Sequence, residues 1–179
     1  MSFMWRKRVD LNQQKERIIK DFEKARERTM NRAVKLLAAK PRSVGELRER
    51  LLEKMWTDET IVDAVIAKLL DYGYLDDEKF ASDLAVSKLR QQPQGKRSLQ
   101  QKLSRKKLDR EVLDKAVESA FEKIPESDLI DTAIAKRLRL KGRPETREEK
   151  KKFLDHLLRR GFDYDLIREK MADIVKISD

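Results

Sequence analysis

The sequence predicts an all-α protein made of three tandem three-helix repeats, an elongated and curved body preceded by a basic N-terminal helical arm. First, only five glycines and four prolines punctuate 179 residues, and they fall between segments with apolar residues at helical spacing. Second, 42% of the residues are charged and only 6% are aromatic, which favours helices with narrow apolar stripes over a sheet core. The third observation is an internal repeat, which indicates stacked helical units.

The repeat is a set of six apolar positions that occurs three times with no gap inside the unit. Leu47 aligns with Leu99 at an offset of 52 (99 − 47), and Leu99 aligns with Phe153 at an offset of 54 (153 − 99). The three copies are Leu47, Leu51, Trp56, Ile61, Val65 and Leu69; Leu99, Leu103, Leu108, Leu113, Val117 and Phe121; and Phe153, Leu157, Phe162, Ile167, Met171 and Val175.

Each copy supplies two helices, and a third helix precedes each pair. The preceding helices are predicted at Met30–Lys40, Glu78–Gln91 and Ser127–Lys141. The first has an alternative form, because Leu11–Lys40 contains no helix breaker and would span about 45 Å as one helix; a separate or frayed arm is the other reading. The predicted domains are the arm 1–28 and the repeats 29–75, 76–124 and 125–179.

Helix starts carry residues with capping chemistry. A side-chain oxygen at the N-cap accepts from the free amides of the first turn, which fits Thr57, Asp109 and Asp163. Capping boxes pair Ser or Thr with Glu three residues later, as in Ser43 with Glu46 and Thr146 with Glu149.

Composition limits the cellular context and the partners. The net charge of +10 predicts attraction to nucleic acid, an acidic protein surface or anionic lipid. Cysteine is absent, which is typical of a reducing cytoplasm. No apolar run is long enough for a membrane span and the N-terminus does not resemble a secretory signal, so we expect a cytoplasmic protein with no membrane contact. We also expect the protein to act as a monomer.

No catalytic constellation is found in the sequence. His156 is the single histidine, which leaves no histidine-based triad or metal cluster, and a half-exposed structural role is expected for it. Asp76 and Asp77 precede a helix and are interpreted as caps rather than metal ligands. Phosphate-binding glycine loops are missing. We therefore expect no catalytic residue, no metal and no cofactor.

Basic clusters are the candidate contact residues. Lys88–Lys107 contains eight basic residues and no acid, and Lys136–Arg143 contains five and no acid. Each cluster is either a solvated helix face or a surface that contacts nucleic-acid phosphate without recognising the base sequence. In the first, Lys102 and Lys106 are expected to be exposed, with Arg105 at the margin. The predicted contacts are Lys96, Arg97, Lys102, Arg105, Lys106, Lys107, Arg137, Arg139, Lys141, Arg143, Arg159 and Arg160.

Three ordered motifs resemble signatures of one family. Arg42–Arg48 (RSVGELR) is similar to RSxxELR, Gly73–Ala81 (GYLDDEKFA) to GYLDDxxFA, and Leu157–Phe162 to LLRRGF. Together with the repeat they resemble the RecX family of bacterial recombinase regulators, over Thr29–Val175. The resemblance implies a protein that binds the RecA filament and reduces its extension, ATPase and strand exchange, in recombinational repair and the SOS response.

The middle repeat departs from the family pattern G-x-x-x-I-x-x-E-L-x-x-K-G-I. Lys102 stands at the position of the acid, and Lys107 at the position of the glycine that ends a helix in the left-handed conformation. Both changes add positive charge. The hypothesis is a RecA-filament inhibitor; the alternative is a DNA-binding protein without sequence specificity, single- or double-stranded, that competes for strands.

Overall fold

The computed structural model describes residues 19 and 21–176, with side chains as far as residue 172. Over these residues the chain folds into nine helices in three groups of three and no strand, which confirms the all-α, three-repeat prediction. The helices are α1 (Phe22–Ala39), α2 (Val44–Leu52), α3 (Glu59–Asp71), α4 (Asp77–Gln91), α5 (Lys96–Ser104), α6 (Arg110–Lys123), α7 (Glu126–Lys141), α8 (Arg147–Arg159) and α9 (Tyr164–Lys176).

Helix α1 begins earlier than Met30, but it does not continue the whole way to Leu11. Its N-cap is Asp21, whose backbone is extended and whose carboxylate accepts from the N–H of Lys24 at 3.0 Å. The alternative of one unbroken helix over Leu11–Lys40 was therefore wrong, because the N-cap at Asp21 makes Phe22 the first residue of the helix. Residues 1–18 and 20 of the predicted arm lie outside the described residues, and its last residues, 22–28, form the start of α1. The domain boundaries stay predictions.

Cap residues follow the predicted pattern only in part. Thr146 and Glu149 form the predicted capping box, and the Asp163 carboxylate accepts from the amide of Asp165 at 2.9 Å. Thr57 was the wrong N-cap of α3, because its buried hydroxyl accepts from Thr29 at 2.9 Å. Asp58 caps α3 instead. Asp109 stands at the start of α6 without a side-chain cap bond.

The repeat register is confirmed by burial. Leu51, Leu103 and Leu157, which are equivalent in the three copies, are all fully buried. Trp56, Leu108, Phe121 and Met171 are half-buried, and the side chain of Val175 lies outside the described part. Among the described residues, no helix has the length and apolar character needed to cross a bilayer.

Buried apolar residues form two clusters rather than three. The first lies within the first repeat and includes Leu47, Leu51 and Val65. The second runs through the second and third repeats, from Ala81 to Ile167. The last two repeats therefore share one core, whereas the first repeat has its own.

Candidate interaction surfaces at the two repeat joints

Two joints connect the repeats, and both are built on the same hydrogen bond. We call the contact between repeats one and two the first joint, and that between repeats two and three the second joint. At the first, the Asp77 carboxylate accepts from the N–H of Val44, the first residue of α2, at 2.9 Å. At the second, the Glu126 carboxylate accepts from the N–H of Lys96, the first residue of α5, at 3.3 Å. Each carboxylate thus satisfies an open amide at a helix start.

Burial raises the pKa of both carboxyl groups, and the hydrogen bond to the backbone acts in the opposite direction. The predicted capping role is confirmed for Asp76, which accepts from the N–H of Lys79 at 2.8 Å. Asp77 has a different role from the predicted cap, because its carboxylate reaches across to the preceding repeat.

A second contact also recurs at equivalent positions. At the first joint the hydroxyl of Ser43 donates to the carbonyl oxygen of Lys106. At the second the N–H of Gly95 donates to the carbonyl oxygen of Arg160 at 3.0 Å. In both cases the N-cap of a middle helix meets the turn that follows the middle helix of the next repeat.

Glycines allow the backbones to approach at these contacts. A Cβ on Gly45 would lie 2.5 Å from the carbonyl oxygen of Lys107, and one on Gly95 would lie 2.0 Å from that of Gly161. Gly161 has φ of 80°, and Lys107, its equivalent, has φ of 54°. The left-handed conformation predicted for position 107 is therefore present without a glycine.

Carboxylates neutralise the cations at the first joint. Lys106 Nζ lies 2.9 Å from Glu46 Oε1, and Lys107 Nζ lies 2.6 Å from Glu49 Oε1. The expected exposure of Lys106 is wrong: α5 ends at Ser104, and the following turn folds back onto α2. The predicted capping box of Ser43 and Glu46 is only half formed. The N–H of Glu46 donates to the Ser43 hydroxyl, but the Glu46 carboxylate pairs with Lys106.

The second joint lacks these carboxylates. The positions equivalent to the two glutamates hold Ser98 and Gln101. Arg160, which is equivalent to Lys106, instead donates to the carbonyl oxygen of Pro93 at 3.0 Å and to His156 Nε2 at 3.3 Å. Both acceptors are uncharged in this arrangement, so neither of them offsets the positive charge of Arg160.

His156 is half-buried, as predicted, and has a structural role beside Arg160. Burial lowers the pKa of His156, and the positive charges of Arg137, Arg160 and Arg159 lower it further. Since Nε2 accepts a hydrogen bond from Arg160, the neutral imidazole is the form that fits this contact.

Lys102 is fixed in place rather than exposed, contrary to the expectation. Its Nζ donates to the Oε1 of Gln94, which is buried, and lies 3.4 Å from Gln92 Oε1. Burial lowers the pKa of Lys102, and the positive charges of Lys88 and Arg160 lower it further. The amides of the linker between α4 and α5 thus hold this ammonium close to other cations.

A cavity opens at each joint, and the two differ in chemistry. At the first joint an apolar groove of about 1060 Å³ lies between α1, α3 and α4. Its lining includes Val34, Leu37, Tyr72, Tyr74, Phe80 and Leu84. At the second joint a basic pocket of about 540 Å³ is lined by Lys88, Gln91, Gln92, Lys102, Lys136 and Arg160.

The twelve predicted contact residues divide into two sets. Seven are exposed and make no ion pair with a described residue: Lys96, Arg97, Arg105, Arg139, Lys141, Arg143 and Arg159. Five are held by the protein: Lys102, Lys106, Lys107, Arg137 and Arg160. Arg137 lies over the Phe153 ring, 5.2 Å from its centre.

Lys88 and Lys136 belong to the basic clusters but were not among the predicted contacts, and the fold places both in the basic pocket. The repeat offset contained a signal for this pocket, since Glu46 and Glu49 align with uncharged residues in the second copy. No described group of three or more His, Cys, Asp or Glu side chains could hold a metal ion.

The fold and its joints define a helical-repeat protein with an apolar groove at the first joint and a basic pocket at the second. Comparison with known proteins narrows this class: the chain belongs to the RecX family of regulatory proteins. Models of the first, second and third three-helix domains of RecX match residues 30–76, 76–117 and 125–171.

Relatives match over most of their length. Regulatory protein RecX of Thermotoga petrophila is 36% identical over 96% of this chain and 95% of its own. Regulatory protein RecX of Chlorobaculum tepidum is 31% identical over 78% of this chain and 84% of its own. The crystal structure of RecX from Lactobacillus salivarius has the same fold, with a TM-score of 0.74 at 20% identity over 85% of this chain and 97% of its own.

The motifs that carry the family resemblance lie at the joints. Ser43 and Glu46 belong to the first motif, Asp77 to the second, and Arg160 and Gly161 to the third. All five make contacts between repeats. These motifs therefore specify how the repeats dock against each other. Of the seven exposed contact cations, Arg159 lies within the third motif and the other six lie outside the motifs.

Proposed function

We propose that this protein binds the RecA recombinase filament and inhibits its extension, ATPase and strand exchange. It would thereby modulate recombinational DNA repair and the SOS response in the cytoplasm. The observation that carries the proposal is the match of all three repeats, in order, to a family of regulatory proteins. The row of repeats offers an extended surface, which suits a large helical partner.

The distribution of charge supports a partner that is a nucleoprotein. Seven predicted contact cations on the second and third repeats are exposed and make no ion pair with a described residue, and the basic pocket lies between those repeats. A filament of recombinase on single-stranded DNA offers both acidic protein surface and phosphate, and both attract such a surface.

The test is a titration of recombinase ATPase on single-stranded DNA. Blocking growth at a few filament sites affects the whole filament, so we expect inhibition at protein concentrations far below those that coat the DNA. Adding the protein to preformed filaments and, in parallel, to the naked strand before recombinase separates filament binding from strand competition. Inhibition that starts only near DNA saturation would instead support the strand-competing alternative.

A further inference from the structure

The basic pocket concentrates positive charge without an internal counter-charge. All six side chains that line it are polar, four are cationic, and none is acidic: Lys88, Gln91, Gln92, Lys102, Lys136 and Arg160. Within the described residues, none of its four cations forms a salt bridge. At the first joint, by contrast, the equivalent of Arg160 is paired with Glu46. Charge of one sign converging on a cavity favours an anion there.

Two of the cations are held in position by the linker between α4 and α5. The buried Gln94 accepts from Lys102, and the carbonyl oxygen of Pro93 accepts from Arg160 at 3.0 Å. Because these acceptors are neutral, they orient both cations without cancelling their charge. A ligand would therefore meet donors that are already ordered, which reduces the entropy lost on binding.

Bringing like charges together in the pocket is unfavourable and acts on the pKa of Lys102. Burial lowers this pKa most, and the positive charges of Lys88, Arg160 and Arg105 lower it further. A bound anion would reverse the effect of these charges and raise that pKa.

From this arrangement we propose that the basic pocket at the second joint is a binding site for a phosphate group. A phosphate offers more acceptor oxygens than a carboxylate, and a guanidinium with several ammonium groups matches them. The source of the phosphate is a nucleic-acid backbone or a small phosphate compound. The volume of about 540 Å³ exceeds one phosphate group and leaves room for an attached sugar or a second phosphate.

The test uses a pocket variant and a charge-matched control. The side chains of Lys88 and Lys136 make no hydrogen bond or salt bridge with the described residues, so Lys88→Gln with Lys136→Gln should leave the joint intact. The control is Lys35→Gln with Lys151→Gln, two exposed residues outside the pocket that remove the same charge. Each protein is titrated with a short oligothymidylate, with pyrophosphate and with polyglutamate.

We expect the pocket variant to bind phosphate ligands at least about tenfold more weakly, while the control changes little. For the oligothymidylate, the slope of log affinity against log salt should become shallower by about 0.7 for each phosphate that the variant no longer neutralises. Weakened oligothymidylate binding identifies a nucleic-acid source. Weakened pyrophosphate binding with unchanged oligothymidylate binding identifies a small compound.

Three results would overturn the phosphate site. The first is equal weakening in both variants, since that reflects only the overall charge. The second is polyglutamate binding as tightly as the oligothymidylate and with the same loss in the pocket variant, which indicates an acidic protein partner. The third is a pKa of Lys102, followed by nuclear magnetic resonance of its Nζ, that does not rise at saturating phosphate.

The role of this site in filament binding rests on the proposed function, and the two ideas can fail separately. If wild-type protein binds phosphate in the pocket but does not slow recombinase ATPase, the site stands and the proposed function is rejected. If wild-type protein inhibits the filament but binds no phosphate in the pocket, the proposed function stands and the site is rejected.

Discussion

The two joints place equivalent residues in equivalent contacts, yet they present different surfaces. At both, a carboxylate accepts from the first amide of a middle helix, and backbone meets backbone at a glycine. At the first joint, glutamates pair with the facing lysines and the neighbouring cavity is apolar. At the second, no carboxylate of the described residues pairs with Arg160, and the cavity is basic.

This difference teaches that docking and surface chemistry are separate in such a repeat protein. The backbone contacts set how the repeats meet, so they tolerate few residue types at those positions. Side chains around the contact differ between the two joints: the second repeat has Ser98 and Gln101 where the first has Glu46 and Glu49, which leaves a cation available for a ligand. The following variants test each half of this comparison.

The largest effect is expected from removing buried leucines that occupy the same position in different repeats. Leu51→Ala and Leu103→Ala should each cost about 2–5 kcal/mol of the free energy of unfolding, because each leaves a cavity. Hydrogen exchange should show loss of protection confined to the first repeat for Leu51→Ala, and spread over the last two repeats for Leu103→Ala, because these share one core.

Leu140→Ala is the control for this pair, since Leu140 is 65% exposed and should change stability by less than about 0.5 kcal/mol. Equal loss of protection in all three repeats for Leu51→Ala would show that the protein unfolds as a single unit. The separation of the first repeat would then be wrong.

A smaller effect is expected from exchanging residues at the turn after the middle helix. Gly161→Ala should lose about 1–3 kcal/mol, because φ is 80° and the added Cβ would lie 2.5 Å from the Ser98 nitrogen. Lys107→Gly should raise the free energy of unfolding by up to about 1 kcal/mol, because glycine adopts the left-handed conformation without strain. Loss of the exposed ion pair with Glu49 reduces this gain. Thermal unfolding measures both.

Gly142→Ala isolates the conformational part of this effect. Gly142 has φ of 73°, and a Cβ there would meet nothing within 4 Å. The difference between Gly161→Ala and Gly142→Ala therefore reports packing at the second joint. A difference near zero would argue against close backbone approach at that joint.

Removing one charge at the first joint should have a moderate effect that depends on burial. Glu46→Gln should cost about 1 kcal/mol, because the side chains of Lys106 and Glu46 are only 28% and 17% exposed. Glu49→Gln is the matched control and should cost less than Glu46→Gln, since its pair with Lys107 is about half exposed and screened by solvent. Equal losses in denaturant unfolding would contradict this ranking.

The smallest effect concerns the carboxylates that both joints share. A carboxyl with a raised pKa in the folded state binds more protons there than when unfolded, so its contribution to stability falls as pH rises through the folded pKa. Asp77→Asn and Glu126→Gln keep an acceptor and remove this charge. After solvent screening, each should be neutral or stabilising at pH 7, by well under about 1 kcal/mol.

Melting temperatures from neutral pH down through the ordinary carboxyl pKa values of 3.8 and 4.5 measure this effect. Any advantage of the amide variants should shrink as pH falls, because the wild-type carboxyl becomes protonated in the folded protein. An advantage that grows at low pH would reverse the sign and reject burial as the dominant cause.

Helices and repeats could be predicted from the sequence because both are encoded locally. Apolar spacing and cap residues identified all three groups of helices, and the register located Leu51, Leu103 and Leu157 in the core. The errors were small and had tertiary causes. Asp58 rather than Thr57 caps α3, and the Thr57 hydroxyl instead contacts that of Thr29 in another helix.

The candidate sites were predicted only in part. The sequence identified the basic clusters, and seven of the twelve predicted contacts are exposed and make no ion pair with a described residue. It ranked Lys102 and Lys106 as the most exposed, whereas the fold places Lys102 on a buried amide and Lys106 on Glu46. Helical spacing shows which residues share a face, but it does not show what that face meets.

Sequence alone thus determined the helices, the three repeats, the core register, the excess of positive charge and the family resemblance, since each depends on residues close in the chain or on composition. Tertiary structure decided which cations are paired and which converge. Lys106 and Glu46 are 60 residues apart, and Arg160 lies 67 residues from Pro93, so only the docking of repeats brings them together. Electrostatic interactions depend on distance in space and on burial, and the joints set both.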